Sequence, residues 1–154
     1  MIPNFEKIEF KKFLDKNSKR IFEGGKRFNG DIKKNSDPLI SIITVTKNQS
    51  KHIQETIDSI KSQKYKNIEY IIIDGASTDG SIEIIKKNIN SIDYFVSELD
   101  LGNYDALNKG ISLCTGDLIG IVNGDDILLP DATLVLFEYY KKYPNVDFFF
   151  GSVK

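Results

Sequence analysis

The sequence predicts an α/β fold in which a largely parallel sheet carries helices on both faces. The first observation is alternation: short runs rich in Ile and Val trade places with stretches of helical period, joined by connections short enough for βαβ units. The second is that the apolar runs at residues 68–73 and 118–122 end in Asp and Gly, the signature of a backbone leaving a sheet. The third is size and composition. With 154 residues, 40% of them hydrophobic and 28% charged, the chain fits about one ordinary globular domain. A chain of this length buries roughly 70% of the surface exposed by its unfolded form.

Residues 1–37 differ in composition from the rest of the chain and are expected to be an N-terminal extension, partly helical. Phe5, Ile8, Phe13 and Leu14 can share one helical face, and Ile21 and Phe22 can extend it. With Lys7, Lys11, Lys12, Lys16, Lys19 and Arg20, such a helix either touches a membrane surface or packs on the domain with a solvated Lys face. Residues 38–154 are expected to be the main domain. Residues 39–45 form its first strand, β-branched and apolar, and residues 46–50 form the polar exit loop. Ile53, Ile57 and Ile60 then recur at helical spacing, with Ser50 as N-cap and the helix running to about Gln63. His52 has no second His or Cys nearby in sequence and reads as an exposed helix residue.

Residues 68–73 are the second strand, ending in Asp74-Gly75, and a helix bearing Ile82, Ile85 and Ile89 on one face starts at Ser81. Residues 93–96 give a short third strand. A polar loop then leads into a helix containing Ala106, Leu107, Gly110 and Ile111. Residues 117–126 read as a strand buried on both faces that ends in Asn123-Gly124-Asp125-Asp126. Pro130 would lie in the first turn of a helix with Leu134, Phe137 and Tyr140. Residues 146–150 look like a fifth strand that stops where a loop should begin, so the domain is expected to be C-terminally truncated.

In a parallel sheet the exits after Val45, Ile73, Val96 and Val122 share the carboxyl edge, where ligands of open α/β sheets bind. That edge would gather Asp74, Asp79, Asp100, Asp105, Asp125 and Asp126. Two carboxylates about 4 Å apart repel by roughly 4 kcal/mol at an effective dielectric of about 20, so such a rim calls for a cation. Oxygen ligation without a Cys or His cluster suits Mg²⁺ or Mn²⁺ completed by substrate phosphates, which points to a nucleoside diphosphate or similar substrate. Asp79 and Asp131 each adjoin a helix start and are expected to be structural.

Other classes lose their warrant. There is no Gly-x-Gly-x-x-Gly after the first strand, no Gly-Lys-Ser/Thr phosphate loop and no Gly-x-Ser-x-Gly elbow. Lys and Arg total 21 against 22 Asp and Glu, which argues against a nucleic-acid partner. The single cysteine, Cys114, cannot form an internal disulfide; its expected role is packing, in a reducing cytoplasmic compartment. No apolar run approaches the roughly 18 residues of a membrane span.

Four ordered motifs carry a resemblance. They are Pro38-Leu39-Ile40-Ser41-Ile42-Ile43-Thr44-Val45-Thr46-Lys47-Asn48, Ile73-Asp74-Gly75-Ala76-Ser77-Thr78-Asp79-Gly80-Ser81, Ser97-Glu98-Leu99-Asp100-Leu101-Gly102-Asn103-Tyr104-Asp105-Ala106-Leu107-Asn108-Lys109-Gly110-Ile111, and Asn123-Gly124-Asp125-Asp126. On these the chain resembles the family 2 glycosyltransferases of the Rossmann-like GT-A nucleotide-sugar fold, especially bacterial enzymes of surface-polysaccharide biosynthesis. The resemblance implies that Thr44, Val45 and Thr46 line the nucleobase pocket and that Asp74 accepts the imide N–H of a uracil. It places Asp100, Asp105, Asn108, Lys109, Asn123 and Gly124 near the donor, and Asp125 with Asp126 on Mg²⁺ or Mn²⁺. It implies an inverting transfer from a nucleotide-sugar, chiefly a UDP-sugar, to a saccharide or lipid-linked acceptor, in the cytoplasm or peripherally at the inner membrane face. Two positions depart from the pattern: Asn123 stands where many relatives have an acid, and Leu107 where many have Arg. The family's general base is expected beyond Lys154. The alternatives are a nucleotide- or sugar-binding module without turnover and a structural domain whose Asp residues only cap helices.

Overall fold

The alternation read from the sequence becomes one five-stranded sheet in a computed structural model that describes residues 20–30 and 37–151. Strands β2 (Ile40–Thr46), β3 (Ile68–Asp74), β4 (Tyr94–Glu98) and β5 (Leu118–Ile121) run parallel. A further strand, β1 (Arg20–Gly24), pairs antiparallel with β4, giving the order β1–β4–β3–β2–β5. Period-two side-chain alternation divides the strands between two apolar layers. Ile40 and Ile42 of β2, Tyr70 and Ile72 of β3 and Phe95 of β4 face helices α1 (Ile53–Lys61) and α2 (Ser81–Lys87). Leu134 and Phe137 of a further helix, Ala132–Lys142, pack against the same layer.

On the opposite face Ile43, Val45, Ile71, Ile73 and Val96 meet Ala106 and Leu113 of α3 (Asn103–Leu113). The helix Ala132–Lys142 is α4. Each fully buried Ile contributes roughly 2–3 kcal/mol of transfer free energy. The expected fold class therefore holds, with helices on both faces.

Four expectations need correction. Ile21 and Phe22 lie in β1 and not in a helix, because the free edge of β4 supplies a ladder and Phe95 a ring 5.3 Å from that of Phe22. The helical face expected over Phe5, Ile8, Phe13 and Leu14 lies outside the described residues. Residues 20–30 are bound to the sheet: the Lys26 and Arg27 N–H groups donate to Ile92 O and Asp93 O at 3.0 Å, and Arg27 pairs with Glu69.

β5 is not covered on both faces. It is an edge strand whose Ile119 and Ile121 are 46% and 52% exposed, because α3 lies over β2 and β3. Residues 146–150 form no strand; they find no ladder partner among the described residues, and Phe148 and Phe150 face solvent. The helix starts also shift. His52, not Ser50, occupies the N-cap position of α1, and Pro130 precedes the Asp131 N-cap position of α4.

Candidate active site

Three strand exits converge on one crevice of about 420 Å³ at the carboxyl edge of the sheet. The end of β2 supplies Val45, Thr46, Lys47 and Gln49; the loop from β4 into α3 supplies Asp100, Gly102, Asn103 and Ala106; the exit of β5 supplies Asn123, Gly124 and Asp125. Parallel topology puts these exits side by side because β2 pairs with both β3 and β5.

The floor depends on close backbone approach. A Cβ on Gly124 would lie 2.5 Å from Thr46 Oγ1, and one on Gly75 would lie 2.5 Å from Asp100 Oδ2. Gly124 thereby lets the β5 exit rest on the end of β2, and Gly75 seats the Asp100 carboxylate. Asp100 also accepts the Gly102 N–H at 3.0 Å, closing the turn into α3. Thr46 Oγ1 is buried and has no hydrogen-bond partner among the described residues.

A hydrogen-bonded scaffold stands behind the crevice. Asn48, at φ 54, donates its N–H to Ser77 Oγ at 2.8 Å and accepts the Thr78 N–H on Oδ1 at 2.9 Å. The Ser50 N–H donates to Asp79 Oδ2 at 2.9 Å, while Asp79 Oδ1 accepts Ser81 N–H and Oγ. Burial alone pushes the Asp79 carboxyl up, but these bonds from Ser81 and Ser50 outweigh it and hold the group well below the usual carboxylate range. Asp79 therefore fastens the β2 and β3 exits together at the start of α2, the structural role expected for it. Asp131, at the start of α4, pairs with Lys64 at 2.6 Å.

Of the residues expected at the site, Val45, Thr46, Asp100, Asn123, Gly124 and Asp125 meet in the crevice. Six others do not. Thr44 is fully buried on the α1 face, its hydroxyl 3.1 Å from Tyr70 OH, because strand parity turns it away from Val45. Asp74 is also fully buried: it accepts Ser77 N–H and Oγ and, at 2.6 Å, Ser97 Oγ. It holds the β3 exit turn, where Ala76 adopts φ 60, and presents no oxygen to a base.

Asp105 accepts the Leu101 N–H at 3.1 Å in the first turn of α3, and Asn108 lies exposed on that helix outside the crevice lining. Lys109 pairs with Glu98, which is 5% exposed and also accepts Arg20 Nε at 2.9 Å. Asp126 accepts Asn123 Nδ2 at 2.9 Å and braces the turn, so the adjacent acids diverge and Asp125 alone of the pair lines the crevice. Lys47, Gln49, Gly102, Asn103 and Ala106 are crevice residues that sequence reasoning missed. Their signal was position: Gly102, Asn103 and Ala106 follow Asp100 in the loop after β4, and Lys47 and Gln49 lie in the polar exit loop of β2.

The donor set still suits a hard cation. Asp125 and Asp100 offer carboxylate oxygens, and Gln49 Nε2 sits 3.4 Å from Asp125 Oδ2. Among the described residues no three acidic, His or Cys side chains cluster to enclose a metal. A divalent cation held by these residues would need water or substrate phosphate to complete its shell. Cys114 packs against the apolar layer beneath α3. Burial pushes its thiol up to about 12, and its Sγ lies 3.3 Å from Gly110 O.

Residues 41–154 match the family model described as Glycosyl transferase family 2. The chain belongs to that family. Within it, the putative glycosyltransferase EpsE of Bacillus subtilis is 37% identical over 119 residues, covering 73% of this chain and 43% of that one. The poly-beta-1,6-N-acetyl-D-glucosamine synthase of Staphylococcus epidermidis is 31% identical over 116 residues, covering 73% and 28%. The chain spans less than half the length of these curated relatives. Solved structures with the same fold include S. aureus TarS 1-349 in complex with UDP-GlcNAc, at TM-score 0.63 and 20% identity over 69% of this chain and 32% of that one. Another is the mannosyltransferase PcManGT of Pyrobaculum calidifontis in complex with GDP-Man and Mn²⁺, at TM-score 0.61 and 24% identity, covering 78% and 38%. The fold is the GT-A type that the four motifs imply.

Proposed function

We propose that this family 2 chain is the donor-binding part of an inverting glycosyltransferase that uses a nucleotide-sugar, most simply a UDP-sugar. The acceptor is a saccharide or a lipid-linked saccharide, in surface-polysaccharide biosynthesis on the cytoplasmic side of a membrane. The observation that carries this reading is the position of Asp125: it shares one crevice with Asp100 and the end of β2, where a nucleotide and its diphosphate can lie across the strand exits. Named relatives that make poly-beta-1,6-N-acetyl-D-glucosamine and chondroitin support the polysaccharide assignment. No helix among the described residues is long and apolar enough to cross a membrane.

In this reading Val45 and Thr46 face the nucleobase, and the Thr46 hydroxyl, without a partner among the described residues, has a hydrogen bond to offer there. Asp125 would hold Mg²⁺ or Mn²⁺, which when bound neutralises the donor diphosphate. Asp126 keeps Asp125 in place through Asn123. Transfer forms a bond from the acceptor oxygen to the anomeric carbon. The bond from that carbon to the diphosphate oxygen breaks, its electron pair leaving with the diphosphate, and the hydroxyl proton passes to a base. We assign that base to none of the crevice residues.

Calorimetric titration of UDP, GDP and UDP-sugars with and without Mn²⁺ tests the reading. Metal-dependent binding is expected in the wild-type chain. Asp125→Ala should weaken it by about tenfold or more, the size of a lost charge-assisted contact. Absence of binding by every nucleotide would refute the donor site. Transfer or hydrolysis of the bound donor separates an enzyme from a binding module.

A further inference from the structure

We infer that Lys47 binds the diphosphate of the nucleotide donor, as the protein's own cation in the crevice. This deepens the proposed function and rests on it. Lys47 supplies the one positively charged side chain among the described residues that line the crevice, which otherwise presents the carboxylates of Asp100 and Asp125. A divalent cation offsets those two charges and leaves the dianionic diphosphate uncompensated. A second positive charge is therefore needed beside it.

Lys47 is free to supply that charge. Its stem and the Asp100 carboxylate flank the same glycine: a Cβ on Gly75 would lie 3.2 Å from Lys47 Cδ and 2.5 Å from Asp100 Oδ2. Yet among the described residues no ion pair joins Lys47 to Asp100 or to any other carboxylate. The backbone that carries it is fixed. The Gly75 N–H donates to Thr46 O at 2.9 Å, and Asn48 is tied to Ser77 and Thr78 on the neighbouring exit loop. An exposed ammonium on a rigid turn, over a crevice that needs positive charge, suits phosphate recognition as a point charge.

The test compares wild-type chain, Lys47→Met and Lys47→Arg. Whichever of UDP and GDP the wild type binds is titrated with Mg²⁺ present, and the matching nucleoside is followed by nuclear magnetic resonance. Lys47→Met should lose about tenfold to a hundredfold in affinity for the nucleoside diphosphate. Its nucleoside binding should change by less than about threefold, because the base and ribose do not depend on the charge. Lys47→Arg should recover most of the loss, and the salt dependence of diphosphate binding should be shallower in Lys47→Met. Melting temperature reports that both variants fold. Equal diphosphate affinity in wild type and Lys47→Met overturns this inference and leaves the donor site standing. Equal losses for diphosphate and nucleoside also overturn it, since they place Lys47 outside phosphate recognition. A wild type that binds neither UDP nor GDP removes the donor site and the inference together.

Discussion

Lys109 shows how a charge that looks available in sequence is committed elsewhere. Its ammonium pairs with the buried Glu98, which also holds Arg20; Arg20 in turn pairs with Glu23 at 2.8 Å, and Tyr94 OH donates to Glu23. Without Lys109, Glu98 keeps Arg20 as its partner and loses one charge-assisted hydrogen bond, at a cost of about 1.5–3 kcal/mol. Lys109→Ala should therefore lower stability by about that amount, read as a shifted urea midpoint. Its nucleotide affinity at temperatures where it is folded should stay within about twofold. A large affinity loss without a stability loss would return Lys109 to the donor site. Asp74 and Asp126 teach the same lesson. Their place after a strand was legible, but the Ser77, Ser97 and Asn123 groups that turn them inward are partners that spacing does not reveal.

Elements were legible where burial imposed a period. β2, β3, α1 and α3 fall where Ile and Ala recur, because each must present its apolar side chains to a core already defined by neighbours. β1 was not, since five residues of mixed polarity become a strand through the edge of β4 and through Phe95. Residues 146–150 failed in the opposite sense: three Phe give strand composition, and no ladder among the described residues makes it a strand. Gly110 marks the contact between α3 and β2. A Cβ there would lie 2.5 Å from Ile43 Cγ2, in the core layer that also holds Val45. Gly110→Ala gains about 1 kcal/mol of helix propensity and meets about 1–3 kcal/mol of overpacking. Net destabilisation is expected, checked by denaturant midpoint, and a stabilised protein would show that α3 can lift from the sheet at little cost.

At the scale of the molecule, Glu69 fastens the end of the sheet opposite the crevice. It accepts Ser41 Oγ at 2.6 Å from β2 and Thr115 N–H and Oγ1 at 2.9 and 2.6 Å from the loop before β5, and it pairs with Arg27 beside β1. Burial alone pushes its carboxyl up, but hydrogen bonds from Ser41, Thr115 and Arg27 outweigh burial and hold it below the ordinary 4.5. A carboxyl depressed in the folded state stabilises the fold above its unfolded value and loses that contribution as pH falls through the folded one. Stability should therefore hold above about pH 5 and fall below it. Glu69→Gln should be less stable at pH 7 and show a flatter decline in acid, measured by denaturation across pH. An unchanged acid limb would assign that decline to other groups.

The antiparallel edge has a consequence in time. Arg20 meets Glu98 across 78 residues of chain, and Leu39 meets Asp117 across another 78. During synthesis β1 emerges early but cannot pair until β4 has been made, and β5 reaches β2 later still. The two outer strands of the sheet thus wait on distant partners, so their docking is expected among the late steps of folding, in the slower range of high-contact-order domains.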